Sequence, residues 1–384
     1  MKCQRDKFQL QTKYAYLNCA YMSPLMKKVE NAGIKGIRAK RKPFQISPDD
    51  FFHDTETLRL LYSQLIDNPE PNRIAVIPSV SYGLANVVKN IPFKSGKILL
   101  VEAQFPSNVY PWQSLEEKGF EVKFIPAPKT ESRGEDWNAA LLDAIDESTR
   151  VVAVGHVHWS DGTLFQLKKI RQKLDEVGGL LIIDGTQSIG ALPFSIQEIR
   201  PDALICAGYK WLMGPYSIGL GYYGPAFDLG KPIEENWINR KASEDFSGLV
   251  NYESAYQPGA LRYEVGEHSN FILVPMMIAA IKQLLKWHPQ EIQDYCGSLM
   301  NPAIDELLSL GFTIENESYR ANHLMGIRIA NGLNIDDFKK SFTKHKVSVS
   351  FRGDAIRIAP HVYNDEMDVR KLLKAMKEPI FASN

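Results

Sequence analysis

Short apolar runs, each closed by a polar or glycine-bearing turn, recur through the first two-thirds of the chain. Segments 74–77, 97–101, 121–125, 151–155, 180–183 and 203–206 have strand length, and most are apolar throughout, as in strands covered on both faces. A glycine-punctuated segment, 218–223, adds another strand. Helical spacing of apolar residues predicts helices over 26–40, with Pro24 at the first turn and one basic, solvated face, and over 51–66. Further helices are expected from 81 through Asn90, over 141–145 and over 168–177. Strands alternating with helices argue for a mostly parallel, doubly wound sheet. Beyond about residue 255 the texture changes. Long helices are expected over 275–287 and 289–309, the second kinked or broken near Pro302. Strand-like segments follow at 311–314, 324–329, 347–351 and 355–358, and an amphipathic helix over 365–376 closes a smaller α+β domain. The boundary between the two domains is expected within 245–265.

Composition narrows the class. At 384 residues the chain is long enough for two domains and a large core. Its 44% hydrophobic and 23% charged residues are ordinary for a soluble globular protein. Forty-five basic against forty-five acidic residues give zero net charge, which argues against binding nucleic acid or a membrane surface through a positive field. The N-terminal stretch lacks an apolar signal core and no run approaches membrane-spanning length, so neither export nor insertion is expected. Cys3, Cys19, Cys206 and Cys296 are scattered without metal-ligand spacing. Neither a disulfide framework nor a metal site is expected, and a reducing cytoplasm fits.

Candidate chemistry gathers where strands end, the edge at which such sheets bind ligands. The run 180–183 ends in Asp184, and 203–206 ends in Ala207-Gly208-Tyr209-Lys210. Asp184 and Lys210 could be a partly buried ion pair or an active site. After the strand 74–77, Ser79-Val80-Ser81 opens a helix, where free backbone N–H groups and the positive dipole end make a phosphate seat; an N-cap alone is the plainer alternative. The same edge carries Phe105, His156, His158 and Trp159. A phosphate seat, a stacking ring, an Asp and a Lys together suit pyridoxal 5'-phosphate, whose aldehyde needs a lysine and whose ring nitrogen needs a carboxylate.

Asp184-Gly185-Thr186-Gln187-Ser188-Ile189-Gly190, followed by Tyr209-Lys210 and then Gly214-Pro215, resembles the signature of the class V aminotransferases. That group of fold-type-I pyridoxal-phosphate enzymes includes cysteine desulfurases, kynureninases and isopenicillin-N-epimerase-like proteins. Asn18 to Pro24, Asn108 with Pro111-Trp112, and Ala355 to Pro360 with Tyr363-Asn364 extend the resemblance over most of the chain. It implies a mostly parallel seven-stranded α/β sheet with helices on both faces and a smaller α+β C-terminal domain. Residues 1–25 would form an arm packing with the small domain, 26–255 the cofactor-binding domain and 256–384 the small domain. Lys210 would form the Schiff base and Asp184 would hold the ring nitrogen protonated. Gln187 would meet the phenolic oxygen, Phe105 would stack on the ring, and Ser79, Val80 and Ser81 would hold the phosphate with Tyr209. Trp159 completes the cofactor contacts, while Arg357 and Asn18 would bind the substrate carboxylate. A homodimer is implied, with Trp237 or Ser269 of a second copy completing the phosphate site, because Glu267 stands where relatives carry Thr.

The resemblance leaves several reactions open. Desulfurases need a nucleophilic thiol on a loop upstream of the carboxylate-binding Arg, and 342–353 contains no cysteine. Transamination of an amino acid is the expected activity, with a kynureninase-like hydrolase or an epimerase-like racemase or lyase as alternatives. A catalytically silent homologue is disfavoured by the joint presence of Lys210, Asp184 and Arg357. A nucleotide-binding protein is disfavoured because Ser79 to Gly83 supplies no GxGxxG.

Overall fold

The computed structural model describes residues 1–329 and 333–382; of the expected C-terminal domain, 330–332 and 383–384 lie outside the described residues. A short strand, β1 (Ala15–Tyr16), precedes α1 (Lys27–Ala39) and α2 (His53–Leu65). Alternating elements follow: β2 (Ile74–Ile77), α3 (Val80–Lys89), β3 (Gly96–Val101), α4 (Tyr110–Gln113), β4 (Phe120–Ile125), α5 (Arg133–Asp143), β5 (Thr149–Gly155), α6 (Leu167–Val177), β6 (Leu180–Asp184), α7 (Ile196–Ile199), β7 (Ala203–Ala207) and β8 (Gly219–Tyr223). The seven strands β2 to β8 form one sheet in the order β2-β8-β7-β6-β5-β3-β4. All neighbours are parallel except β8, which runs antiparallel to β2 and β7. Successive residues of the central strands feed two cores. Ile182 and Ile205 point to the face covered by α3, while Ile183 and Leu204 point to the face shared with α1, α2 and α8 (Leu273–Trp287). Burial on both faces explains why these strands read as unbroken apolar runs. Emptying one such site, as in Ile183→Ala, costs about 2–5 kcal/mol.

After α8 come α9 (Pro289–Ser309), β9 (Thr313–Ile314), β10 (Met325–Arg328), α10 (Ile335–His345), β11 (Val347–Ser348), β12 (Ser350–Arg352), β13 (Ala355–Ile358) and α11 (Glu366–Ala382). Strands β12-β13-β10-β9 make a four-stranded antiparallel sheet with its own core, in which Leu17, Ile327, Ile356 and Leu372 are fully buried. The N-terminal strand β1 pairs with β11 in parallel, and Asn18 bridges to Ala359, so the arm is stitched to this smaller sheet.

Four local expectations need correction. The helix expected at 141–145 is α5, which begins at Arg133; its polar first turn hides the start, while Trp137 and Leu141 form the buried face at i, i+4 spacing. Helix α10 lies where no element was expected. Asn334 caps it by accepting from the Asp336 N–H, and Phe338 and Phe342 anchor it. Segment 347–351 is divided between two sheets, because Val347–Ser348 pairs with the arm and Ser350–Arg352 pairs with β13. Helix α9 runs through Pro302 without interruption.

Candidate active site

The C-terminal ends of β2, β5, β6 and β7 open on one cavity of about 300 Å³. Its lining includes Ser79, Val80, Ser81, Phe105, Trp159, Asp184, Gln187, Tyr209 and Lys210, nine side chains singled out by pattern or resemblance. Ser107, Thr186, Tyr216 and Ser217, which sequence reasoning missed, also line it.

Ser79 is the N-cap of α3 and accepts from the Tyr82 N–H at 3.2 Å, while its Oγ lies 3.0 Å from Ser81 Oγ. The cap does not use up the donors a phosphate would need, since a helix start leaves several further N–H groups without an intrahelical partner. Gly83 lets α3 approach the sheet: a Cβ there would stand 2.7 Å from Ile205 and 2.8 Å from Ile77. That close docking sets the helix N-terminus at the strand ends.

Asp184 is enclosed. Its Oδ1 accepts from the Thr186 N–H at 3.0 Å, and Thr186 Oγ1 in turn accepts from the Ala207 N–H at 3.2 Å, tying the ends of β6 and β7 together. Burial raises the Asp184 carboxyl above its ordinary range, against the pull of Thr186 and Lys210. A half-buried carboxylate lining the cavity could face a cationic ring nitrogen. Gln187 donates to the Ala20 carbonyl at 3.2 Å and accepts from Trp211 at 2.8 Å, which fixes its amide at the cavity wall.

Lys210 is 6% exposed, and among the described residues its amine has no hydrogen-bond or ion-pair partner. Its Nζ stands 5.4 Å from the ring centroids of both Phe105 and Tyr209. Burial lowers the amine to about 8; Asp184 opposes this, and Arg357 and Arg352 add to it. The simple ion pair with Asp184 is therefore not what the structure contains. Phe105 is carried by the turn after β3. Gln104 braces that turn by donating to the carbonyls of Asn108 at 2.9 Å and Ala153 at 3.1 Å. Trp159 faces Phe105 edge-on, ring centroids 5.4 Å apart, and donates its indole N–H to the Ala103 carbonyl at 2.7 Å.

Arg357 and Asn18 sit beside this cavity. Arg357 is 1% exposed and donates from Nη1 to the Trp159 carbonyl at 2.5 Å and from Nη2 to Ser350 Oγ at 3.4 Å; its Nε is buried without a partner. Ser350 Oγ donates to Asn18 Oδ1 at 2.9 Å. Burial brings the Arg357 guanidinium down to about 10, with Arg352 adding to the effect. Among the described residues no carboxylate lies within ion-pair distance of this buried cation, an arrangement that could hold an anion.

Other residues of the expected edge lie elsewhere. His156 is half-buried with its ring edge-on to Phe194, and desolvation lowers its pKa to about 3. His158 turns inward to Asp161, whose other oxygen takes the guanidiniums of Arg133 and Arg328, each at 2.9 Å. Burial alone would raise Asp161, but His158 and the two arginines hold it far below the carboxylate range. Gly162, at φ +81°, completes the turn; a Cβ there would lie 2.5 Å from the Leu324 carbonyl. Trp237 is not at the cavity. It packs in an aromatic cluster with Phe51, Phe52 and Phe246 and lines a separate groove with Glu267 and Ser269. Within one chain none of the three reaches the phosphate seat. Glu264, in the same stretch, is buried and binds Arg59 at 2.8 Å and His268.

The family model for aminotransferase class-V matches residues 49–375. An uncharacterized aminotransferase of Bacillus subtilis (strain 168), YcbU, is 26% identical over 318 residues, covering 82% of this chain and 81% of that protein. A probable cysteine desulfurase of Pyrococcus abyssi is 30% identical over 172 residues, 43% of this chain and 41% of that protein. Among solved structures, the apo cysteine desulfurase of Thermococcus onnurineus NA1 superposes with TM-score 0.84 at 20% identity, covering 100% of this chain and 99% of that one. C-DES, solved with glycine covalently linked to its PLP cofactor, matches with TM-score 0.84 at 19% identity over 98% of this chain and 99% of its own.

Proposed function

The chain belongs to the class-V aminotransferase family, and from that premise we propose that it uses pyridoxal 5'-phosphate to transaminate an amino acid. The observation that carries this is the buried, unpartnered amine of Lys210 on the ring of Phe105, at a strand end next to that of Asp184. Bound pyridoxal phosphate would supply an aldehyde for amines and a ring that accepts electrons from Cα.

The protein's own groups then divide the work. Lys210, whose amine burial brings down to about 8 so that it sheds its proton far more readily than an ordinary lysine, acts as nucleophile and afterwards carries the proton to and from Cα. Asp184 sets a negative charge where a ring nitrogen would be protonated. Ser79, Val80 and Ser81, with the dipole of α3, hold phosphate. Phe105 and Trp159 exclude water over the reacting face, and Arg357 grips the α-carboxylate with Asn18 and Ser350 behind it.

Transamination is favoured over hydrolysis or C–S cleavage because Lys210 is the one amine or imidazole base lining the cavity among the described residues. A desulfurase is disfavoured by its thiols: Cys19, Cys206 and Cys296 are buried, with Cys19 pushed up to about 12 by burial. A homodimer belongs to the same reading. Among the described residues the serine cradle has no cationic side chain beyond Lys210, and the apolar groove of Ile37, Trp237 and Phe271 lies open for a second copy that would complete it. Four free cysteines suit a reducing cytoplasm; no helix among the described residues is long and apolar enough to cross a membrane.

The test is spectroscopic. The purified protein should show a visible band from bound cofactor, bleached by an amino donor with release of one keto acid per site, and Lys210→Ala should abolish that exchange. A protein that takes up no pyridoxal phosphate, or a Lys210→Ala variant that still turns over, would refute the reading.

A further inference from the structure

The small sheet carries a second arginine on the face that holds Arg357. In the β12–β13 hairpin Ser350 stands opposite Arg357 and Arg352 opposite Ala355. Residues two apart on a strand share a face, as do cross-strand partners, so Ser350, Arg352 and Arg357 project to the same side. Arg352 and Arg357 are diagonal neighbours, with backbones about 7–8 Å apart. Both side chains converge on Trp159: Arg357 holds its carbonyl at 2.5 Å, and the Arg352 guanidinium lies over its ring, 5.5 Å from the centroid.

Arg352 is not otherwise accounted for. Among the described residues it makes one internal hydrogen bond, to the Phe351 carbonyl at 2.8 Å, and its buried Nε has no partner. Among the described residues neither arginine has a carboxylate within ion-pair distance, although Arg328 on β10 pairs with both Asp161 and Asp354. Two uncompensated guanidiniums on one sheet face repel each other, and stacking on an indole recovers only part of that cost. A ligand with a single carboxylate would satisfy one of them. Resting on the transaminase reading, we infer that Arg352 binds a second carboxylate, and that one substrate is therefore a dicarboxylic amino acid and its 2-oxo acid. Arg357 takes the α-carboxylate, Arg352 takes the side-chain carboxylate, and Trp159 spaces the two. Fork-shaped recognition of carboxylates is what arginine does better than lysine.

The experiment is a titration of the holoenzyme followed through the visible band of its bound cofactor. L-glutamate and L-aspartate are compared with their neutral amides and with L-alanine. The acids should perturb the band at concentrations on the order of tenfold or more below the amides, the size expected for a charge-assisted contact. Arg352→Gln should reduce that acid-over-amide preference by the same factor. Equal responses to glutamate and glutamine in the native protein, or a preference that survives in Arg352→Gln, would overturn the inference while leaving the transaminase reading intact. The native arm stands even if the variant fails to fold. A protein without a cofactor band would overturn both.

Discussion

Lys210 Nζ lies 5.4 Å from the centroid of the Phe105 ring and makes no hydrogen bond to Asp184, although their strands β7 and β6 are adjacent. The two groups share a cavity without neutralising each other. Each keeps a cost of burial that an arriving ligand can relieve.

For Lys210 this cost has a pH signature in the cofactor-free protein. Its folded pKa, about 8, lies below the ordinary lysine value, so the unfolded chain binds the extra proton between about 8 and 10.5. Stability contributed by this site should rise with pH through that window, by on the order of 3 kcal/mol at most. Denaturant unfolding of the apo protein against Lys210→Met should show the gap between them narrowing as pH rises. A gap independent of pH would mean that the amine is solvated.

Asp184→Asn should separate stability from function. Burial raises the carboxyl, so the apo variant is expected to melt at or above the native temperature. Cofactor affinity and turnover should both fall, because the amide brings no charge to a ring nitrogen. Thermal scans of apo and loaded protein, paired with cofactor titration, read both effects.

Arg357→Ala should raise KM for amino-acid substrates by about 1.5–3 kcal/mol, the worth of charge-assisted hydrogen bonds. Arg357→Lys should recover only part, since the ammonium lacks the planar fork. Steady-state kinetics decide this, and an unchanged KM would move the carboxylate site elsewhere.

Asp161 acts at a distance from the chemistry. Removing it in Asp161→Ala leaves Arg133 and Arg328 without their shared buried carboxylate, at a cost of about 3–5 kcal/mol. Because its folded pKa is depressed, this stability is present above the ordinary carboxylate range and is lost as pH falls below it. The turn it braces carries Trp159, so KM should rise more than kcat falls. Urea unfolding at neutral pH and kinetics on the same variant provide the check.

Alkylation offers a chemical test of the thiols. Cys19, Cys206 and Cys296 are fully buried, and burial raises all three thiols. Iodoacetamide should leave transamination unchanged in the folded protein, and L-cysteine should yield no enzyme-bound persulfide, as mass spectrometry would show.

Much of this was legible in the chain. Runs such as 180–183 and 203–206 are apolar throughout because both sheet faces are covered, and a strand that must be dry on two sides leaves little choice of residue. Asp184 and Lys210 were visible because they interrupt such runs at their ends. Helix α10 leaves little trace in the pattern because its polar positions outnumber its two phenylalanine anchors, and the start of α5 is masked by a charged first turn.

The sequence by itself determined the strand ends that carry Asp184 and Lys210, the helix start at Ser79 to Ser81, and the absence of a loop thiol. Only the tertiary structure decided which of these groups face one another. It turned His158 inward to Asp161, took Trp237 away from the cavity into an aromatic cluster, and brought Arg352 and Arg357 to the two sides of Trp159. Strand alternation fixes a side chain's face within its own sheet. The meeting of a small-sheet arginine with a loop of the large sheet depends on how the two are docked, through contacts nearly two hundred residues apart in the chain.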